Sequence, residues 1–114
     1  MPTIIKNAVV KNIGTEPTLI LETDLARTMT IIGLSLTNVL DTVTYVDVTI
    51  KTDESVEVHF LKNTLIPFNS SLRAVSSGEK LVLGYNDQLY VVASKADSVD
   101  AIVSYAEVIQ WHTI

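Results

Sequence analysis

The side chains that could do chemistry in this chain are few and scattered. Its two histidines, His59 and His112, lie far apart in the sequence. Neither has a second histidine or a carboxylate at a spacing typical of metal ligands. Because a metal site needs three or four converging ligands, this pattern indicates ordinary surface histidines. We predict no metal site.

The acidic residues and serines form no recognisable catalytic motif. Asp53 and Glu54 lack the glycine and further aspartates of a calcium loop, and Asp41 and Asp47 fit solvated turn or surface positions. No serine lies in a G-x-S-x-G elbow. A hydrolase with two distant carboxylates is not excluded by spacing, but aromatic residues, at 6%, are scarce for a substrate cleft. We predict no catalytic residue, no cofactor and no enzymatic activity.

Composition narrows the classes of partner. The 114 residues carry a net charge of −5 with only eight Lys and Arg, so the clustered cations that nucleic-acid binding requires are absent. No apolar run approaches the ~20 residues of a membrane span, and residues 1–3 do not begin a signal peptide. The lack of cysteine fits synthesis in a reducing cytosol. We therefore predict neither nucleic-acid nor membrane partners.

The chain is unusually apolar for its charge content. Hydrophobic residues make up 47% of it, and the mean hydropathy is +0.34. Two compatible explanations are a dense core between two β-layers and apolar surface buried between subunits.

Abundant Val, Ile, Leu and Thr, with turn residues between short runs, predict an all-β chain. The fold class is a single-domain antiparallel β-sandwich of eight or nine strands over residues 1–114, jelly-roll-like or immunoglobulin-like, with a barrel as the alternative. The predicted strands are residues 4–13, 18–22, 28–38, 44–52, 56–61, 70–75, 80–83, 88–93 and 99–109.

Finer features follow from alternation and turn chemistry. Residues 40–42 predict a hairpin loop between the third and fourth strands, and 53–55 a turn before the fifth. Pro67 predicts a bend or an edge position. Apolar residues that alternate with polar ones indicate a strand with one core-facing side. Such sets are Ile32, Leu34 and Leu36 in the third strand, and Val56, Val58 and Phe60 in the fifth.

Aromatic and terminal apolar residues are the candidates for an interface, because Tyr and Trp combine an apolar body with a polar tip. For any single tyrosine, a place in the core is the competing interpretation. Segments 1–5 and 110–114 are candidate arms exchanged between subunits. The predicted interface residues are Ile4, Ile5, Tyr85, Tyr90, Trp111 and Ile114.

The C-terminal third carries a recurring pattern. A proline precedes a small polar turn, then come S-S-L-R-x-V, G-E-K-L-V-L, a D-x-L-x-V strand and S-V-D-x-x-V-S-Y-x-E. These are Pro67, residues 70–75, residues 78–83, residues 87–94 and residues 98–107. This segment resembles small virion structural proteins of tailed bacteriophages.

The resemblance implies a β-sandwich subunit that forms homo-oligomers on a phage particle and is made in the host cytoplasm. The leading hypothesis is a capsid decoration (cement) protein that contacts the major capsid protein and stabilises the head lattice. A neck, collar or tail subunit is the first alternative. A carbohydrate-binding β-module is the second, and it would need exposed, coplanar aromatic rings, for which Tyr45, Tyr85 and Tyr90 are the candidates.

Overall fold

The computed structural model describes residues 3–76 and 80–109, and this part of the chain contains nine β-strands and no helix. Each predicted strand is present, and most bounds differ by no more than one residue. The strands are β1 (Thr3–Ile13), β2 (Thr18–Glu22), β3 (Arg27–Asn38), β4 (Thr44–Lys51), β5 (Glu57–Ile66), β6 (Ser71–Val75), β7 (Leu81–Leu83), β8 (Gln88–Ala93) and β9 (Val99–Ile109).

The strands form two antiparallel sheets that pack as a sandwich. Sheet A has the order β1-β9-β3-β6, with β7 also paired to β3, and sheet B has the order β2-β8-β4-β5. Most consecutive strands therefore lie in different sheets, which is the connectivity of a jelly roll. In the immunoglobulin arrangement the first, second, fifth and fourth strands would share a sheet. The β-sandwich prediction is confirmed, in its jelly-roll form.

The core lies between the sheets because alternate residues of each strand point inward. Val46 and Val48 of β4 are fully buried, as are Leu89 and Val91 of β8. On the opposing sheet, β9 contributes a continuous set at every second position. Its buried members are Val99, Ala101, Val103, Tyr105 and Glu107.

The turn predicted at residues 53–55 is confirmed, and this turn and those after β7 and β8 each contain a residue with left-handed backbone geometry. The φ angle is 61° at Ser55, 57° at Asn86 and 50° at Asp97. Asn and Asp tolerate this conformation because their short polar side chains interact locally with the backbone. The Ser55 turn joins β4 and β5 as a true hairpin.

The predicted hairpin across residues 40–42 is wrong. β3 lies in sheet A and β4 in sheet B, so this connection crosses between the layers. Buried Asn38 stabilises the crossing with its side-chain amide. Its Nδ2 donates to the carbonyls of Thr42 and Ile66 at 2.8 and 3.0 Å, and its Oδ1 accepts from the Leu40 amide at 2.9 Å.

The inward position predicted for Ile32 is also wrong, whereas Leu34 and Leu36 are buried as expected. The register between β3 and β9 shifts between Ile31 and Gly33. This β-bulge adds one residue to β3 and turns Ile32 outward. Ile31, on the other side of the bulge, takes the buried position.

β5 is longer and more irregular than predicted. It runs to Ile66 and has ten residues against eight in β4, with two register shifts in their ladder. The core-facing position predicted for Val56 and Val58 is wrong. β5 is an edge strand, and Val58 is exposed, as is Val56 just before the strand. Pro67 follows its last residue, in keeping with the predicted bend at an edge.

No helix in the described residues is long and apolar enough to cross a membrane.

Candidate interaction surface

Several charged and polar side chains lie together on the outer face of sheet B. A shallow depression there, about 200 Å³ in volume, has a lining that includes Asp47, Lys51, Glu57, His59 and Tyr90. Charges of both signs in an open depression are typical of a hydrated surface.

His59 is the only described histidine, and its nearest acidic partner is Asp47. The Nε2 of His59 lies 3.9 Å from the Oδ2 of Asp47. The other carboxylate oxygen of Asp47 accepts a hydrogen bond from the backbone amide of Asn63 at 2.5 Å. Within residues 3–76 and 80–109 there is no group of three or more His, Asp or Glu placed to hold a metal ion. His112 lies outside the described residues.

The three tyrosines proposed as a sugar platform do not lie together. Tyr45 pairs with Leu65 at one end of sheet B, whereas Tyr90 pairs with Thr49 nearer the other end. Four residues of β4 separate these rows, which corresponds to about 13 Å. Tyr85 lies in the turn between β7 and β8, beyond the end of both strands. Tyr45 and Tyr90 therefore share the outer face of sheet B without being adjacent, and Tyr85 lies apart from both.

The outer face of sheet A differs from this, because three of its rows contain a group of side chains without charge. Pairing of β1, β9 and β3 aligns Ile5 with Ala106 and Thr30 in one row, and Val9 with Ile102 and Ser35 in another. The row between them joins Asn7, Ser104 and Gly33, and Val82 extends the first row. None of these side chains is charged. We call these ten residues the A-face.

Four aliphatic side chains of the A-face are unusually exposed. The exposed fraction is 72% for Ile5, 71% for Val9, 61% for Val82 and 51% for Ile102. Arg73, opposite Ser35, ends the Val9 row on β6, whereas Asp100 and Lys11 lie beyond that row. An uncharged face with several exposed aliphatic side chains and charged residues near its border is compatible with a protein–protein contact surface.

The predicted interface residues are only partly brought together. Ile4 and Ile5 are both exposed on β1, but their side chains point to opposite faces of sheet A. Tyr90 belongs to sheet B, and Tyr85 lies in the turn that joins β7 to β8. Trp111, Ile114 and the segment 110–114 lie outside the described residues. Within the segment 1–5, residues 3–5 pair with β9 of the same chain, and arm exchange stays a prediction.

Sequence reasoning missed Val9, Val82 and Ile102. The sequence does contain an indication of these exposed residues, namely apolar residues in succession. Ile102 lies between Ala101 and Val103, which are both buried. In a strand with one core-facing side, every second residue must point outward. An isoleucine there is an exposed aliphatic residue that needs an explanation.

A buried carboxylate joins three strands at the end of sheet A beside the Ile5 row. Glu107 of β9 points inward and its side chain is 1% exposed. The Nζ of Lys6 lies 2.9 Å from its Oε2, and Nη1 of Arg27 contacts its Oε1. The ammonium of Lys6 and the guanidinium of Arg27 lower the pKa of Glu107, although burial acts in the opposite direction. This cluster fixes the first residues of β1 against β9 and β3.

Comparison with known proteins gives information about the fold. No protein-family model matches the chain, and no curated protein matches it. Among solved structures, the chain is similar to one described as "Bacillus endospore appendages form a novel family of disulfide-linked pili". The TM-score is 0.58 at 7% identity, over 96% of this chain and 89% of that one. A second match, described as the structure of infectious bursal disease virus Gt strain, has a TM-score of 0.40 at 11% identity. It covers 96% of this chain and 33% of the viral one.

Proposed function

We propose that this protein is a non-enzymatic structural subunit of a tailed-phage virion, and specifically a decoration protein that binds the assembled head through the A-face. It acts by binding to the surfaces of neighbouring subunits and holding them together. Its binding partners are further copies of itself and the major capsid protein.

The observation that carries the proposal is the A-face, which exposes four aliphatic side chains and carries no charged one, whereas the depression on sheet B is lined partly by charged groups. The transfer of an exposed Ile or Val side chain out of water contributes on the order of 1 kcal/mol. Several such side chains on one flat face give a surface that is stabilised when a partner covers it. The surrounding Arg73, Asp100 and Lys11 would orient that partner, because charged rims favour one approach over others.

A decoration protein stabilises a capsid by binding the assembled lattice in preference to free capsid subunits. Each bound copy then shifts the equilibrium toward the lattice by mass action. This mechanism requires no chemical step, so it needs only a rigid scaffold and a complementary surface. A β-sandwich with a continuous hydrophobic core meets that requirement.

Two resemblances support an assembly role. The C-terminal third resembles phage virion proteins, and the pilus protein of similar fold is described as part of an assembled appendage. That appendage is described as disulfide-linked, whereas this chain has no cysteine. Its own contacts would therefore not be disulfides.

A neck, collar or tail subunit would use the same kind of surface, and copy number distinguishes the two locations. We expect quantitative mass spectrometry of virions purified from the encoding phage to find this chain in proportion to the major capsid protein. A count that corresponds to a single ring would indicate a neck or tail subunit. Absence from purified particles would contradict the proposal.

A further inference from the structure

The four sheet margins of the sandwich differ in how well they are protected against pairing with another chain. β2 has five residues and a register shift against β8, and β6 and β7 have five and three residues. β5 carries two register shifts and is followed by Pro67. Short length, bulges, proline and charged side chains are the features that natural proteins use to block edge pairing.

β1 carries Lys6 and Lys11, but it is neither short nor interrupted by a bulge or a proline over residues 3–10. Its pairing with β9 is regular over eight successive residue pairs, from Thr3 with Val108 to Val10 with Ala101, and the first register shift comes only after Val10. In the described chain, β1 is therefore the one long and regular strand with a free side. The unpaired N–H and C=O groups of such a side are a template for one more strand.

We propose that the partner of this free edge is β1 of a second copy, paired antiparallel about a twofold axis that passes beside Asn7. This inference rests on the proposed assembly role, and it identifies the first assembly contact. The resulting dimer would have one continuous sheet that runs from β6 of one copy to β6 of the other.

Side-chain matching selects this register. Directly opposed residues of an antiparallel pair point to the same face, so a twofold pairing centred on Asn7 places Ile5 opposite Val9 of the second copy. It also places Ile4 opposite Val10. The two most exposed aliphatic residues of the A-face would thus cover each other twice, once on each side of the axis.

Neighbouring registers are less favourable. A pairing centred on Lys6 would place the two Lys6 side chains directly opposite each other, and like charges in that position are destabilising. A pairing centred on Ile5 would oppose Ile4 with Lys6, and one centred on Ala8 would oppose Ile5 with Lys11. The Asn7-centred register opposes Lys6 with Ala8 and Lys11 with Thr3, so no charge faces another charge or an isoleucine.

The dimer also gives the proposed function a geometric basis. Because the axis is perpendicular to the sheet, both A-faces would lie on the same side of the dimer. The apolar surface offered to a capsid would be continuous and twice as large. Val82 lies far from the axis, so it would remain exposed for that contact.

The absence of cysteine makes the register directly measurable. In Asn7→Cys, any disulfide must join position 7 to position 7 of another copy, and opposed Cα atoms lie within the 4.4–6.8 Å range that a disulfide spans. Ile5→Cys is the matched control on the same face of the same strand. Its two sulfurs would be about 13 Å apart along the strand direction. We expect Asn7→Cys to form the covalent dimer at least about tenfold faster under mild oxidation.

A second pair of variants tests the contact without a crosslink. Val9→Lys would place a charge opposite Ile5, and we expect it to raise the dissociation constant of the dimer about tenfold in light scattering. Val82→Lys is the same substitution at another exposed position of the A-face. It should leave the dissociation constant of the dimer unchanged. Circular dichroism would verify that both variants are folded.

The outcomes separate this inference from the proposed function. Faster crosslinking by Ile5→Cys than by Asn7→Cys would overturn the register, and failure of both to crosslink would overturn the dimer. Either result with normal binding to particles would leave the decoration role intact. A dimer that crosslinks through position 7 but never joins a particle would support the inference and contradict the proposed function.

Discussion

Lys6 Nζ lies 2.9 Å from Oε2 of Glu107 and thereby ties the beginning of β1 to the end of β9. Glu107 lies on the core-facing side of β9, in phase with Tyr105 and Val103. A carboxylate in this position is stable only because Lys6 and Arg27 both contact it. Lys6 and Arg27 are partly exposed, so each can remain hydrated if Glu107 is neutralised.

Glu107→Gln should lower the free energy of unfolding by about 1–3 kcal/mol at neutral pH, because it removes charge-assisted contacts to two cations. Urea unfolding followed by circular dichroism measures the change. Glu57→Gln, at an exposed position of β5, is the control and should change stability by less than about 0.5 kcal/mol.

The same contacts predict a pH dependence. Because the pKa of Glu107 in the folded protein lies below its ordinary value of 4.5, the folded state binds this proton less readily than the unfolded state. The stabilisation is therefore complete above pH 4.5 and is lost as the pH falls through the folded-state pKa. The stability difference between the wild type and Glu107→Gln should shrink below pH 4.5 in urea titrations. A difference that stayed constant down to about pH 3 would contradict this role of Glu107.

Asn38 should be essential for the crossing from sheet A to sheet B. Asn38→Leu would leave two carbonyls and one amide without their partners, at a cost of about 3 kcal/mol. Thr37→Val is the neighbouring control, since Thr37 has an exposed hydrogen bond to Ser71. Chemical unfolding measures the free energy of unfolding of both variants. Equal losses would show that the buried Asn38 amide contributes no more to stability than the exposed Thr37 hydroxyl.

Val82→Asp should abolish association with particles while the protein stays folded and dimeric. A charge on the A-face would have to be desolvated at the contact. Leu19→Asp is the matched control, because Leu19 is an exposed aliphatic residue on sheet B. Cosedimentation with particles that lack the endogenous protein measures binding. If only Leu19→Asp lost binding, the contact with the particle would lie on sheet B and not on the A-face.

Tyr45→Ala and Tyr90→Ala test the carbohydrate-binding alternative. We expect both variants to join particles normally, because neither ring lies on the A-face. Glycan-array binding of the wild-type protein that disappears in these variants would favour a carbohydrate-binding module.

Much of the fold could be predicted from local pattern, because alternation and turn residues are properties of neighbouring positions. The strand bounds in β2, β8 and β9 illustrate this. The assignment of strands to sheets is different, since nothing local separates a hairpin loop at residues 40–42 from a crossing between layers. Likewise, the bulge that exposes Ile32 depends on the partner strand.

The candidate surface was predictable only in part for the same reason. Ile4 and Ile5 can be selected from the sequence because they are terminal apolar residues. Val82 and Ile102 have no such distinguishing feature in the sequence. Their significance comes from pairing, which places them with Ile5 and Val9 on one uncharged face.

The central claim is that this protein functions by assembly. Light scattering of the purified wild-type protein over a range of concentrations, combined with cosedimentation with phage heads, tests it most directly. We expect a mass above that of the 12.5 kDa chain and saturable binding to heads. A protein that stays strictly monomeric and never associates with heads or tails would contradict it.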